Sequence, residues 1–96
     1  MNARLRLLAE PPKDIDDWQP GMMWPIDDSE RFTVVLSRHT DSLGESWPTV
    51  WHCGPPWTVA GEPPNITVRP SIRVVGVWHG FITDGEVIEI PGEEGR

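Results

Sequence analysis

No window of eleven or more residues in this chain combines helical periodicity with freedom from proline. Proline removes a backbone donor and breaks a helix interior, and 11 prolines with 9 glycines are spread through 96 residues. What survives between the breakers are short apolar-alternating runs, the period-two pattern of half-buried strands. The chain is therefore expected to be mostly β. The predicted form is a single small antiparallel sheet or partly open barrel with long Pro/Gly-rich loops, and residues 1–96 make one domain with a thin core.

"RLRLLA" (Arg4 to Ala9) alternates as an edge strand with one dry face. "PPKDIDDWQPGMMWPIDDSE" (Pro11 to Glu30) is breaker-rich and acidic and reads as a long loop. Trp18, Met22, Met23 and Trp24 are expected to pack under it as core; an exposed Trp and Met cluster would instead mark an interface. "RFTVVLSR" (Arg31 to Arg38) is a strand by its β-branched and aromatic content, His39 to Ser46 a turn or loop, and "WPTVWHC" (Trp47 to Cys53) a short strand. In Gly54 to Pro64 the paired prolines forbid both helix and central strand. "NITVRPSIRVVG", "VWHGFIT" and "EVIEI" follow as strands, the last two joined by the hairpin dipeptide Asp84-Gly85.

Composition narrows the function classes. The net charge is −7, with 15 acids against 8 bases. Phosphate backbones and anionic membranes need Lys and Arg clusters that are missing here, so neither nucleic acid nor a membrane is an expected partner. Lys13 is the only lysine. A single cysteine, Cys53, allows no intramolecular disulfide, which suits a reducing cytoplasm. No apolar run has the length of a signal peptide or a membrane span.

The candidate chemistry lies in "RPSIRVVGVWHGFITDGE" (Arg69 to Glu86). With Asp84-Gly85 as the turn, Thr83 faces Glu86, Phe81 faces Ile88 and His79 faces Ile90. A loop of residues 74 to 76 would set Ser71 directly opposite His79, whereas a loop of 75 and 76 would send Ser71 to the other face. Alternation favours the first. It gathers Ile66, Val68, Ile72, Val74, Trp78, Ile82 and Val87 on a dry face and Thr67, Arg69, Ser71, Arg73, His79, Thr83 and Glu86 on a wet one. Ser71 could then attack a carbonyl as His79 takes its proton, with Arg69 and Arg73 binding a carboxylate or steadying an oxyanion. Glu86 or Asp84 could orient the imidazole, although this register puts neither beside it.

The same run resembles the signature of the BubE-like family, a small domain found in bacterial ubiquitin-like conjugation operons and in phage genomes. The likeness rests on Pro70, Ser71, Ile72, Trp78, His79, Gly80, Phe81, Gly85 and Glu86, about the last third of the chain, with a looser likeness in "PPWTVAGEPPNITV". Val68 stands where the family pattern has threonine. Many relatives carry an upstream cysteine cluster and a further cysteine before the Trp-His-Gly, where this chain has only Cys53 and, at the second place, Val77. A metal held by those cysteines would have no such ligand set here.

The resemblance implies a cytoplasmic serine peptidase acting on the C-terminal tail of a ubiquitin-like protein in a bacterial antiviral-defence or phage setting. Ser71 would be the nucleophile and His79 the general base; the strand register adds Arg69, Arg73 and Glu86 as support, and no cofactor is expected. A rival from another class is a non-enzymatic interaction module docking through the tryptophan-rich N-terminal half.

Zinc competes for the histidines. His39, His52, Cys53 and His79 number four, but neighbours His52 and Cys53 point to opposite faces of a strand, so no metal is expected. The same geometry makes Cys53 an inert buried thiol rather than a nucleophile. His39, close to Asp41, is a further polar group that could reach the Ser71 site.

Overall fold

The computed structural model describes residues 2–26 and 31–90. The protein is mostly β, and no α-helix occurs among the described residues. Its strands are β1 (Asn2–Arg4), β2 (Arg6–Leu7), β3 (Met22–Pro25), β4 (Phe32–Thr40), β5 (Ser46–His52), β6 (Thr58–Glu62), β7 (Asn65–Val74), β8 (Trp78–Thr83) and β9 (Glu86–Glu89), with a single 3-10 turn at Ile15–Asp17. Where the sequence pattern predicts one sheet or a partly open barrel, the strands divide into two open sheets. One is ordered β1-β9-β8-β7-β6 and the other β2-β3-β4-β5.

Alternation along the strands explains the division. Ile66, Val68, Ile72, Trp78, Ile82 and Val87 of the larger sheet meet Met23, Phe32, Val34, Leu36, Trp51 and Cys53 of the smaller in one buried cluster. Burying one apolar face of each sheet against the other is the usual solution for two amphipathic sheets.

Leu5 marks where the chain passes from one sheet to the other. Its amide donates to the Gly85 carbonyl at 2.8 Å, and the next amide, of Arg6, donates to the Gly21 carbonyl at 2.8 Å. "RLRLLA" is thus two short edge strands with a buried leucine between them. β2 runs parallel to β3, while every other pairing is antiparallel.

The segment Pro11 to Glu30 departs from the expected long loop at Met22–Pro25, which forms a strand paired with β4. The acidic run 27–30 lies outside the described residues. Met23 is fully buried and Trp24 is 6% exposed. Trp24 faces the outer side of the smaller sheet, where Trp18 packs on it with ring centroids 4.8 Å apart. Arg38 holds this cover down by donating to the carbonyls of Ile15 at 3.1 Å and Trp18 at 2.8 Å. Met23 is therefore core and Trp24 is buried under its cover, while Trp18 and Met22 are half-buried. The "TVAGE" stretch behind the paired prolines forms β6, an edge strand, where missing donors are tolerated.

The β8–β9 hairpin follows its turn dipeptide. Asp84 and Gly85 have φ of 48° and 77°, both left-handed as a type I′ turn requires, and Thr83 pairs with Glu86. Within it, Gly80 has no room for a side chain. A β-carbon there would run into the Ile88 carbonyl and sit 2.7 Å from the Trp78 ring. Gly80→Ala should therefore lower the unfolding free energy by about 2–3 kcal/mol. Gly76→Ala, at a φ of 74° with open space around it, should cost only about 1 kcal/mol of backbone strain. Urea denaturation of both variants checks the order, and a neutral Gly80→Ala would refute the packing.

Candidate functional site

β7 is paired on one side with β6, from Glu62↔Asn65 to Thr58↔Arg69, and on the other with β8. The β8 ladder jumps from Val68↔Ile82 to Ile72↔Gly80, so four steps along β7 answer two along β8. Arg69, Pro70 and Ser71 form the bulge, a device that re-aims side chains. Beyond it the pairs are Arg73↔His79 and Val74↔Trp78, leaving residues 75–77 as the turn.

This differs from the expected loop of 74 to 76. The Val77 amide closes the turn on the Val74 carbonyl at 2.9 Å, and Val77 packs partly buried against the core. His79 therefore has Arg73, not Ser71, directly across from it. The shift moves the partner by two positions and so preserves the face. Ser71 becomes the diagonal neighbour, and the side chains still meet, with Ser71 Oγ 3.1 Å from His79 Nε2. Both residues are half-buried. With Nε2 accepting, the hydroxyl points its proton at a base, the first requirement of nucleophilic serine chemistry.

The surroundings hold the serine in place. Its carbonyl accepts from the Trp57 indole N–H at 3.3 Å, and the Trp57 ring meets Trp51 edge-on with centroids 5.6 Å apart. On the other side of that point β6 has ended, so β7 from Ser71 to Val74 is a sheet edge.

The supporting residues separate. Arg69 is committed to structure: its Nη1 donates to the Val68 carbonyl at 2.9 Å and to Thr83 Oγ1 at 3.3 Å, and its guanidinium lies 6.0 Å from the centre of the Phe81 ring. Arg73 is exposed and opposite His79, and is the cation beside the site. Glu86 pairs with Thr83, which lies four residues along β8 from His79. At the rise of an extended strand that is about 13 Å, too far for Glu86 to orient the imidazole. Asp84 is tied into the hairpin tip, its amide donating to Thr67 Oγ1 at 3.0 Å. Neither carboxylate completes a triad.

His39 does not join this site. It belongs to the other sheet, where its Nε2 lies 3.0 Å from Ser37 Oγ, and it lines a cleft with Glu89 on the inner side of the larger sheet. His79 points from the outer side. His52 Nδ1 is 2.7 Å from Thr33 Oγ1, and Cys53 is buried, its sulfur accepting from the Phe32 amide at 3.1 Å. Among the described residues, no three His, Cys, Asp or Glu side chains converge as a metal site would need. Among the described residues no helix is long and apolar enough to cross a membrane.

Two contributors went unread in the sequence. Trp57 carries no motif that marks it as the anchor of Ser71. Ser37 did have a signal, since Ser-x-His on a strand puts both side chains on one face. Comparison with protein families, curated proteins and solved structures finds no match to this chain.

The division between the two arginines is testable. Arg69→Ala should destabilise the fold by about 1 kcal/mol, because the Val68 carbonyl and the Thr83 hydroxyl lose a charged donor although the residue is itself exposed. Arg73→Ala should stay within about 0.5 kcal/mol, as exposed substitutions do. Equal urea midpoints for the two variants would contradict this assignment.

Proposed function

We propose that this protein is a serine peptidase that processes or deconjugates a bacterial ubiquitin-like protein, working in the cytoplasm with Ser71 as nucleophile and His79 as general base. The observation that carries the reading is the 3.1 Å contact between Ser71 Oγ and His79 Nε2, two half-buried side chains beside the β7 edge. The substrate class comes from the resemblance of the Pro70 to Glu86 run to the BubE-like family. An incoming tail in extended form would pair along the Ser71 to Val74 edge, with backbone bonds giving affinity and side-chain contacts giving selection.

In that pose Ser71 Oγ adds to the scissile carbonyl as its proton passes to His79 Nε2. The imidazolium then returns that proton to the departing amine, and water releases the acyl group by the same route. Arg73, opposite His79, supplies positive charge where the oxyanion develops. The rival reading, an interaction module docking through the N-terminal tryptophans and methionines, draws no support from the burial of Met23 and Trp24.

The test is to incubate the protein with the ubiquitin-like precursor of its own operon and weigh the product. One defined cleavage is expected, slowed at least about 100-fold in Ser71→Ala and in His79→Ala. No cleavage by the wild type, or equal cleavage by Ser71→Ala, ends the proposal.

A further inference from the structure

A second serine and histidine meet between the sheets. β4 carries a bulge of its own: Val35 pairs with Val50 and Ser37 with Thr49, leaving Leu36 as the extra residue. Val35 faces the outer cover of the smaller sheet, whereas Leu36 is in the core. With Leu36 in a regular place in the ladder, Ser37 and His39 would share the outward face of Val35. The bulge turns them inward and sends Arg38 out to the Ile15 and Trp18 carbonyls.

Turned inward, they line a cleft of about 370 Å³ at the end of the sandwich where β9 finishes. Ala3, Pro20 and Leu36 give it apolar walls, and Gln19, Ser37, Arg38, His39 and Glu89 its polar ones. Ser37 Oγ is 3.0 Å from His39 Nε2, both residues are half-buried, and the His39 ring lies 6.2 Å from the Trp47 ring. An apolar recess with a few converging polar groups and a volume of this size is what small ligands occupy.

We propose that the Ser37–His39 pair is a second hydroxyl–imidazole site, whose cleft takes and hydrolyses small uncharged acyl esters. Ser37 Oγ adds to the ester carbonyl as its proton passes to His39 Nε2. The bond to the alcohol oxygen then breaks, and the alcohol leaves with that proton. Water attacks the acyl-serine in the same way and releases the acid. Arg38 and Glu89 put one charge of each sign in the wall, so it is the net charge of −7 that selects against anionic esters. This site shares no residue with the Ser71–His79 pair, so either proposal stands or falls without the other.

Treating the full-length protein with an alkyl fluorophosphonate and mapping the adduct by peptide mass spectrometry tests it. The Ser37 Oγ–P bond should form as the P–F bond breaks, and excess p-nitrophenyl acetate should suppress the label while releasing p-nitrophenol. His39→Gln should slow labelling of Ser37 at least about 100-fold. A label absent from Ser37, found only on Ser71, or undiminished in His39→Gln overturns the proposal. Mapping on the wild type decides the matter even where a variant fails to fold.

Discussion

The burial of Trp78 sets the geometry of everything on the larger sheet. Its indole is the largest fully buried side chain, 1% exposed, and its ring lies over Gly80. With Trp78 inward, period-two alternation leaves His79 nowhere but the outer face, and Val74↔Trp78 pairing turns Ile72 inward with Ser71 and Arg73 outward. A one-residue slip would set Arg73 opposite Trp78 on one face, so either the indole would leave the core or Arg73 would enter it. The first costs about 2–3 kcal/mol of apolar burial and the second several for an unpaired charge. The polar face that brings Ser71 and His79 together is thus a consequence of packing beneath it.

Each histidine of this protein meets a hydroxyl. The contacts are 3.1 Å for His79 and Ser71, 3.0 Å for His39 and Ser37, and 2.7 Å for His52 and Thr33. The shortest involves the hydroxyl least able to react, since Thr33 is 4% exposed. Strands pair such groups readily across a ladder or two residues along one strand. Distance therefore does not distinguish a nucleophile from a satisfied side chain. Access does: Ser71 stands at a sheet edge and Ser37 in a cleft, and each is placed there by a bulge in its strand.

Legibility followed how local each signal was. The Asp84-Gly85 turn fixed the β8–β9 register, and β-branched density marked β4. Strand β3 carries no local mark because Pro20 and Gly21 precede it and Pro25 is its last residue, and its membership depends on β4 beside it. The passage between sheets at Leu5 leaves the Arg and Leu alternation intact, so the pattern reads as one strand while the hydrogen-bond partners change. For the site, face assignment was legible and position was not. The residues 75–77 turn and the Arg69-Pro70-Ser71 bulge both arise from packing against β8, which adds no mark to the sequence. The same holds for Ser37, whose inward aim depends on the extra residue at Leu36.

The two serine sites lie on opposite faces of one ladder. His79 accepts from the Ile90 amide at 2.8 Å through its carbonyl, and the next pair along, Gly80↔Glu89, puts Glu89 into the cleft beside Ser37. A sheet is impassable to side chains, so neither histidine can serve the other's serine. The prolines then decide where a partner strand could add. Pro48 interrupts the donors of β5, and Pro70 has no N–H to offer at the bulge, whereas the β7 edge beyond it has no proline up to Val74. The outer edge on this side is β6 as far as Thr58; past its end a partner strand would meet β7 beyond the Trp57-held Ser71 carbonyl, which would bring its own carbonyls alongside the Ser71 hydroxyl.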